Sequence, residues 1–150
     1  MVEGLDVRDY QTNSNTTTIF PYDENFHHRD FPNRNFLFWP LRRTMQIRKR
    51  FGKPIESLDS HFWWEFGELY PAKLRGSFRI AFAFVATHNH FVLDRGGKVF
   101  NRSAPVIKLP EGASEDQYLE LLGVLNSSTA CFWLKQNSHN KGSTVDSKGG

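Results

Sequence analysis

Residues 78–108 read FRIAFAFVATHNHFVLDRGGKVFNRSAPVIK, a run in which short apolar stretches alternate with polar or cationic residues. Such alternation over about four to eight residues is typical of half-buried β-strands. It predicts strands at residues 78–86, 90–94, 98–100 and 105–109, with Arg95, Gly96 and Gly97 as a hairpin turn between the second and the third. Because cations lie between the apolar residues, this region is predicted to bind a nucleic-acid backbone on its surface rather than a small molecule in a pocket.

Three other segments are predicted to be helical. Residues 40–52 begin with a proline and end at a glycine, as helices often do. Ser114 and Gln117 form a capping-box pattern. The helix that follows has an apolar face, which we expect to comprise Tyr118, Leu119, Leu121, Leu122 and Leu125. Ser127 is expected to cap a further helix over residues 130–135, so the fold class is α+β, with a small mixed or antiparallel sheet flanked by helices.

Length and composition indicate that the chain is part of a larger protein. The chain has 150 residues, of which 39% are hydrophobic and 15% aromatic, so a few large side chains must supply most of the core volume. Residues 1–36 are predicted to be irregular, with one short edge strand broken at Pro21. Residues 37–136 are predicted to be the folded α+β region. Residues 137–150 are expected to form a disordered tail.

Bulk charge and cysteine content are weak constraints on function. The formal net charge is +3 and the pI is about 9.1, so the distribution of charge matters more than its sum. Cys131 is the only cysteine, which excludes an internal disulfide and fits a reducing cytoplasm. No basic-then-apolar leader or membrane-spanning run is present, and we expect a soluble cytoplasmic protein without membrane contact.

Two basic regions are candidate DNA contacts. On the predicted helix at residues 40–52, a face without acids carries Arg42, Arg43, Lys49, Arg50 and, just beyond it, Lys53. These like charges repel one another, and a polyanion would relieve that repulsion; the alternative is a solvated outer face. Arg48 falls on the apolar side, where its head needs an acceptor.

The strand-and-turn region supplies the second candidate set, Arg95, Gly96, Gly97, Lys98 and Arg102. Glycine amides can approach a phosphate closely because no Cβ is in the way. The alternative is an ordinary hairpin tip. The presence of both basic regions in one small chain favours nucleic acid, and duplex DNA is the expected partner.

Other polar and aromatic residues have competing interpretations. His88 and His90 are predicted to share one face of a strand, with Asn89 opposite; all three are candidate base contacts, or polar groups at a strand end. A metal would need a third ligand, which the sequence does not offer, so no metal site is predicted. Trp63 and Trp64 either stack on bases or belong to a core or interface. No carboxylate pair suggests acid–base catalysis, and no catalytic residue is assigned.

Several motifs in order resemble one known family. They are VRDY (7–10), FPYD (20–23), WPLR (39–42), WWE (63–65), AFVATHNHFVLDRGGKVF (83–100) and LNSSTACFWLKQ (125–136). Together they resemble the C-terminal part, a Taq-type specificity or target-recognition region, of the adenine-specific DNA methyltransferases of phage growth limitation (BREX-type) systems. The resemblance covers most of residues 4–143 and is most specific over residues 81–110.

The resemblance implies that the chain is a fragment of a larger target-recognition domain. It implies a role in choosing a DNA site for adenine-N6 methylation in restriction–modification and anti-phage defence. The methyl donor of the full-length family is S-adenosylmethionine. The family's glycine-rich donor motif and its Asn-Pro-Pro-Tyr-type catalytic motif are absent from this sequence, so the chain alone is expected to be inactive and to bind no cofactor. A separate catalytic domain or other defence-system proteins are the implied protein partners.

Two further hypotheses remain. In one, the chain is a protein-interaction fragment that docks on a catalytic chain or defence partner and does not bind DNA itself. In the other, it is a small nuclease using His88, His90 and Asp94, which would require a divalent metal.

Overall fold

The computed structural model describes residues 1–29, 33–50, 52–58 and 62–138. Within them lie five helices, α1 (Arg34–Phe38), α2 (Arg42–Gln46), α3 (Pro71–Leu74), α4 (Glu115–Leu125) and α5 (Ser128–Asn137). The strands are β1 (Val7–Arg8), β2 (Gln11–Thr12), β3 (Lys49–Arg50), β4 (Lys53–Pro54), β5 (Arg79–Phe82), β6 (Phe91–Asp94) and β7 (Val106–Ile107). Short 3-10 turns span Gly4–Asp6, Trp39–Leu41 and Ile55–Ser57. Small antiparallel sheets with helices confirm the predicted α+β class.

The chain divides into two compact units. The first unit comprises Met1–Thr17 and Arg75–Gly150, and the second comprises Thr18–Leu74. The main sheet lies in the first unit, in the order β6-β5-β7, with both neighbours antiparallel to β5. Ile80 of β5 is fully buried and stands opposite Leu93 and Ile107. Tyr118 of α4 packs in one cluster with Ile80 and Phe91, so α4 covers one face of the sheet.

The predicted strands are shorter in the structure, and their pairing differs. The strand expected at residues 78–86 ends at Phe82, and residues 83–90 form a loop between β5 and β6. The predicted hairpin between β6 and residues 98–100 is wrong. Val2 donates its N–H to the Val99 carbonyl at 2.8 Å, and Asn101 donates to the Val2 carbonyl at 3.0 Å. The N-terminal segment therefore takes the backbone groups that a hairpin would have used.

The N-terminal residues contribute to the core of the first unit. Val2 and Val7 are 1% and 0% exposed, and they pack with Val92 and Ala104. Their surroundings in the sequence are polar, which is why composition alone gave no sign of this burial.

The two helices that follow the sheet begin as predicted. Gln117 donates its N–H to the Ser114 hydroxyl at 3.4 Å, and its side-chain oxygen accepts from the Ser114 N–H at 2.9 Å. Ser127 accepts from the Ala130 N–H at 3.1 Å and caps α5, which is longer at both ends than expected. Leu119 is 44% exposed, so its placement on the buried face of α4 was wrong. The expected disordered tail falls mostly on residues 139–150, which lie outside the described residues.

Aromatic side chains form much of the second unit. Trp64 is 7% exposed and stacks on Phe62 with ring centroids 4.4 Å apart, which confirms the core interpretation for this residue. Phe66 donates its N–H to the Tyr22 hydroxyl at 2.9 Å. Burial raises the pKa of Tyr22, and this effect exceeds the opposing one of that hydrogen bond. The edge strand expected near Pro21 is reduced to a single bridge between Tyr22 and His28.

In the part of the chain that the structure describes, no helix combines the length and the hydropathy needed to cross a bilayer.

Candidate nucleic-acid interface

The basic segment at residues 40–54 is not one helix. Helix α2 ends at Gln46, and the chain then turns into a hairpin in which β3 pairs with β4, with Arg50 opposite Lys53. Gly52 has a φ of +83° in the turn of this hairpin, a conformation that glycine adopts without strain. The predicted helix over residues 40–52 was therefore wrong beyond Gln46, because the glycine that was interpreted as a helix stop belongs to a hairpin turn.

Arg48 anchors this hairpin. Its guanidinium donates to the carbonyls of Met45 at 3.0 Å, Trp63 at 3.0 Å and Glu65 at 2.6 Å. Burial lowers the pKa of Arg48 from its ordinary value, and the nearby Tyr22 opposes the shift. The expectation that its head finds an acceptor is confirmed. Arg48 is consequently a structural residue of this unit.

The cations near Arg48 in the sequence differ in their exposure. Arg42 is half-buried, with its guanidinium carbon 4.7 Å from the ring centroid of Trp39. Arg43, Lys49 and Lys53 are exposed, and within the described residues they make no ion pair. The sequence from Pro40 to Pro54 holds six cationic residues and no acid. We call the three exposed cations of this segment, Arg43, Lys49 and Lys53, the basic patch of the second unit.

The cations at the turn after β6 are engaged with carboxylates instead. Asp94 is 1% exposed and lies 3.1 Å from the Arg79 Nε and 3.5 Å from the Lys98 Nζ. Lys98 also donates to the Thr12 hydroxyl at 2.7 Å. The Gly96 N–H donates to Asp94 at 3.2 Å. This buried carboxylate thus organises the turn.

Arg95 has a carboxylate partner that the sequence did not reveal. Its guanidinium lies 2.6 Å from the Glu115 carboxylate in the first turn of α4.

Gly97 has a φ of +75°, and a Cβ there would meet no atom within 4 Å. Arg102 is exposed and has no ion-pair partner among the residues that the structure describes. Of the cations predicted in this region to bind DNA, Arg102 is therefore the one left available.

The three candidate base contacts lie in the loop between β5 and β6, not on a strand, so their predicted strand-face arrangement was wrong. His88 is exposed, and its Nδ1 lies 2.9 Å from the Thr87 hydroxyl. His90 is half-buried. Asn89 donates its amide to the Leu125 carbonyl at 2.7 Å, so this side chain ties the loop to the end of α4. His88 and His90 retain polar groups at the surface.

A metal-dependent site has no support in the described residues. They contain no group of three His, Cys, Asp or Glu side chains placed to hold a metal ion. Asp94, the carboxylate of the nuclease hypothesis, is buried and paired with Arg79. The arrangement can bind anions through its exposed cations, which is the chemistry of a phosphate-binding surface.

The fold and these exposed cations define a small α+β segment suited to a polyanion. Over 148 residues, which are 95% of this chain, its sequence is 45% identical to the adenine-specific methyltransferase PglX of Streptomyces coelicolor. The chain spans 12% of the length of that relative. This similarity supports the family that the sequence motifs indicated. No family model matches the chain, and no solved structure matches it.

Proposed function

We propose that this chain is the DNA-binding target-recognition segment of an adenine-N6-specific DNA methyltransferase that acts in restriction–modification or BREX-type anti-phage defence. The observation that carries the proposal is the 45% identity over 95% of the chain to an adenine-specific methyltransferase. An enzyme that selects adenines in DNA needs a surface that holds the duplex. The exposed cations of this segment are suited to that task.

In this proposal, the cations have two roles. The basic patch (Arg43, Lys49 and Lys53) and Arg102 contact phosphates, because they are exposed and make no ion pair in the described part of the chain. Arg95 and Lys98 hold the turn after β6 through Glu115 and Asp94. Phosphate contacts position a protein on DNA, and base contacts specify sequence. His88 and His90 remain the candidates for the second task.

The methyl donor belongs to another part of the methyltransferase in this proposal. A nucleotide-type donor site uses glycines at the junction of a strand and a helix. Gly96 and Gly97 follow a strand, but the next residues pair with Val2 and form no helix. The Gly96 amide is already bonded to Asp94. These residues do not fit S-adenosylmethionine, and we derive no catalytic step from this chain.

Binding of a labelled random-sequence duplex, followed by fluorescence anisotropy at several salt concentrations, tests the proposal. Each phosphate contact contributes about 0.9 to the slope of log K against log salt. The variant Arg43→Ala/Lys49→Ala/Lys53→Ala is expected to bind more weakly and to lose about 2 to 3 from that slope. Lys73→Ala removes an exposed cation from the same unit, outside the basic patch, and is expected to leave the slope unchanged. A folded triple variant with the wild-type slope would refute the assignment.

A second candidate function rests on exposed aromatic side chains of α5. Phe132 and Trp133 are 68% and 61% exposed and are neighbours in the sequence of α5, and contiguous exposed apolar surface can mark a protein-interaction site. They favour docking on a catalytic domain or a defence partner. Sedimentation of the chain alone tests this candidate: self-association abolished by Phe132→Ser/Trp133→Ser, in a sample without DNA affinity, would favour it over DNA binding.

A further inference from the structure

The loop between β5 and β6, residues 83–90, is held at both ends by other parts of the first unit. At its start, Phe84 donates its N–H to the Ser103 carbonyl at 2.9 Å. Near its end, the Asn89 side chain donates to the Leu125 carbonyl at 2.7 Å. The residues between these two points are therefore presented in a fixed position, which lowers the entropic cost of binding a partner.

The middle of this loop is exposed and lacks strongly charged side chains. Residues 84–88 are all exposed, with Phe84 at 50% and Val85 at 68%, and they include no acid, lysine or arginine. The His88 Nδ1 lies 2.9 Å from the Thr87 hydroxyl. With that hydroxyl donating to Nδ1, the His88 Nε2 carries the proton and is a donor. Apolar contacts and single hydrogen bonds of this kind distinguish one base edge from another and do not need a phosphate.

Two exposed cations lie beside the loop. Arg102 adjoins Ser103, whose carbonyl accepts from Phe84 at the start of the loop. Lys135, near the end of α5, lines the same groove as residues 82–91. Both cations are exposed, and neither makes an ion pair with another residue that the structure describes. A neutral loop with cations beside it is complementary to a groove of DNA, which has phosphates at its rims and base edges at its floor.

We propose that residues 84–88 enter the major groove of duplex DNA and read base edges there, while Arg102 and Lys135 contact phosphates at its rims. The major groove admits a two-stranded β-ribbon, and β5 and β6 form such an antiparallel pair. In the groove, Val85 contacts a thymine methyl group and the His88 Nε2 donates to a purine acceptor. All bases stay paired. The inference rests on the proposed function and adds to it the groove, the reading residues and Lys135.

Selection of bound duplexes from a random-sequence library, followed by sequencing, tests this inference. The wild-type chain is expected to enrich a motif in which one purine position is favoured about fivefold or more over the other bases. His88→Ala should abolish that preference and leave the affinity for the unselected library and its salt slope unchanged, because His88 contacts no phosphate. His88→Gln should shift the preference to adenine, which glutamine recognises through N6 and N7. A purely structural role of His88 would not change the preferred base.

Two further variants separate base reading from phosphate contact. Arg43→Ala/Lys49→Ala/Lys53→Ala is expected to weaken the binding of every sequence and to keep the motif. Lys135→Ala is also expected to keep the motif. On the selected duplex it should reduce the salt slope by about 0.9, since Lys135 reaches a phosphate only when the loop lies in the groove.

The outcomes distinguish this inference from the proposed function. A wild-type chain that binds duplexes with a steep salt dependence but enriches no motif would overturn the inference alone. Enrichment of the wild-type motif by folded His88→Ala and His88→Gln variants would do the same. A folded chain with no affinity for any duplex at low salt would overturn the proposed function, and this inference with it.

Discussion

Replacement of the buried carboxylate Asp94 by asparagine should destabilise the first unit strongly. Asp94 and Arg79 are 1% and 4% exposed, and one guanidinium nitrogen of Arg79 already lacks a hydrogen-bond partner. Removing one member of a buried ion pair typically costs about 3–5 kcal/mol, because the other charge stays buried without compensation. Asparagine keeps an oxygen that can accept from Arg79, so we expect the lower end, about 3 kcal/mol.

Urea unfolding followed by circular dichroism measures this cost as a shift of the midpoint at an unchanged slope. Glu115→Gln is the matched control. It breaks the Arg95 pair, whose side chains are 63% and 37% exposed, and exposed pairs contribute about 0.2–1 kcal/mol. The double variant Arg79→Met/Asp94→Leu should recover most of the stability, since apolar residues often replace a buried pair without loss. An Asp94→Asn cost equal to that of Glu115→Gln would refute the reasoning.

Two further predictions concern stability. Asn126→Ala removes both hydrogen bonds to the Phe91 backbone and should cost about 1–3 kcal/mol in urea unfolding, whereas an unchanged midpoint would contradict a stabilising role for these two bonds. Tyr22→Phe should alter the alkaline limit of stability. Because burial raises the pKa of Tyr22 in the folded state, its protonated form contributes stability that is present below the unfolded pKa of about 10 and is lost as pH rises through the folded pKa. The variant should therefore lose less stability than the wild type between pH 9 and pH 11 (about one pH unit either side of the unfolded value), and parallel losses would contradict this.

The fold class and the helix caps were predictable because they depend on local signals. The Ser114 and Ser127 caps need only a few neighbouring residues, and both are present. Runs of apolar residues also located β5 and β6. The partner of residues 98–100 was not predictable, because Val2 lies far away in the sequence. An isolated bridge such as that between Val2 and Phe100 leaves no periodic pattern in the sequence.

The segment at residues 40–54 shows how one signal can support two structures. A proline, a cationic run and a glycine fit a helix with its stop, and they equally fit a short helix followed by a hairpin. The three carbonyl acceptors of Arg48 help to decide the outcome, two of them from residues beyond the segment, Trp63 and Glu65. Tertiary contacts thus override a local preference for helix.

The sequence identifies the cations of the candidate site, but it does not show which of them have carboxylate partners. Arg95 and Lys98 looked equivalent to Arg102, yet the first two have carboxylate partners and Arg102 has none within the described residues. Glu115 lies 20 positions from Arg95, so neither periodicity nor spacing connects them. Exposure and pairing become visible only in three dimensions.

The central proposal is that this chain binds duplex DNA by contacting the phosphates of the DNA. The most direct test is the affinity of the wild-type chain for a random-sequence duplex, measured by anisotropy from low to moderate salt. The account predicts binding that weakens steeply with salt, with a slope of about −3 to −4 from the three patch cations and Arg102. A folded chain that shows no affinity at low salt, or an affinity independent of salt, would contradict it.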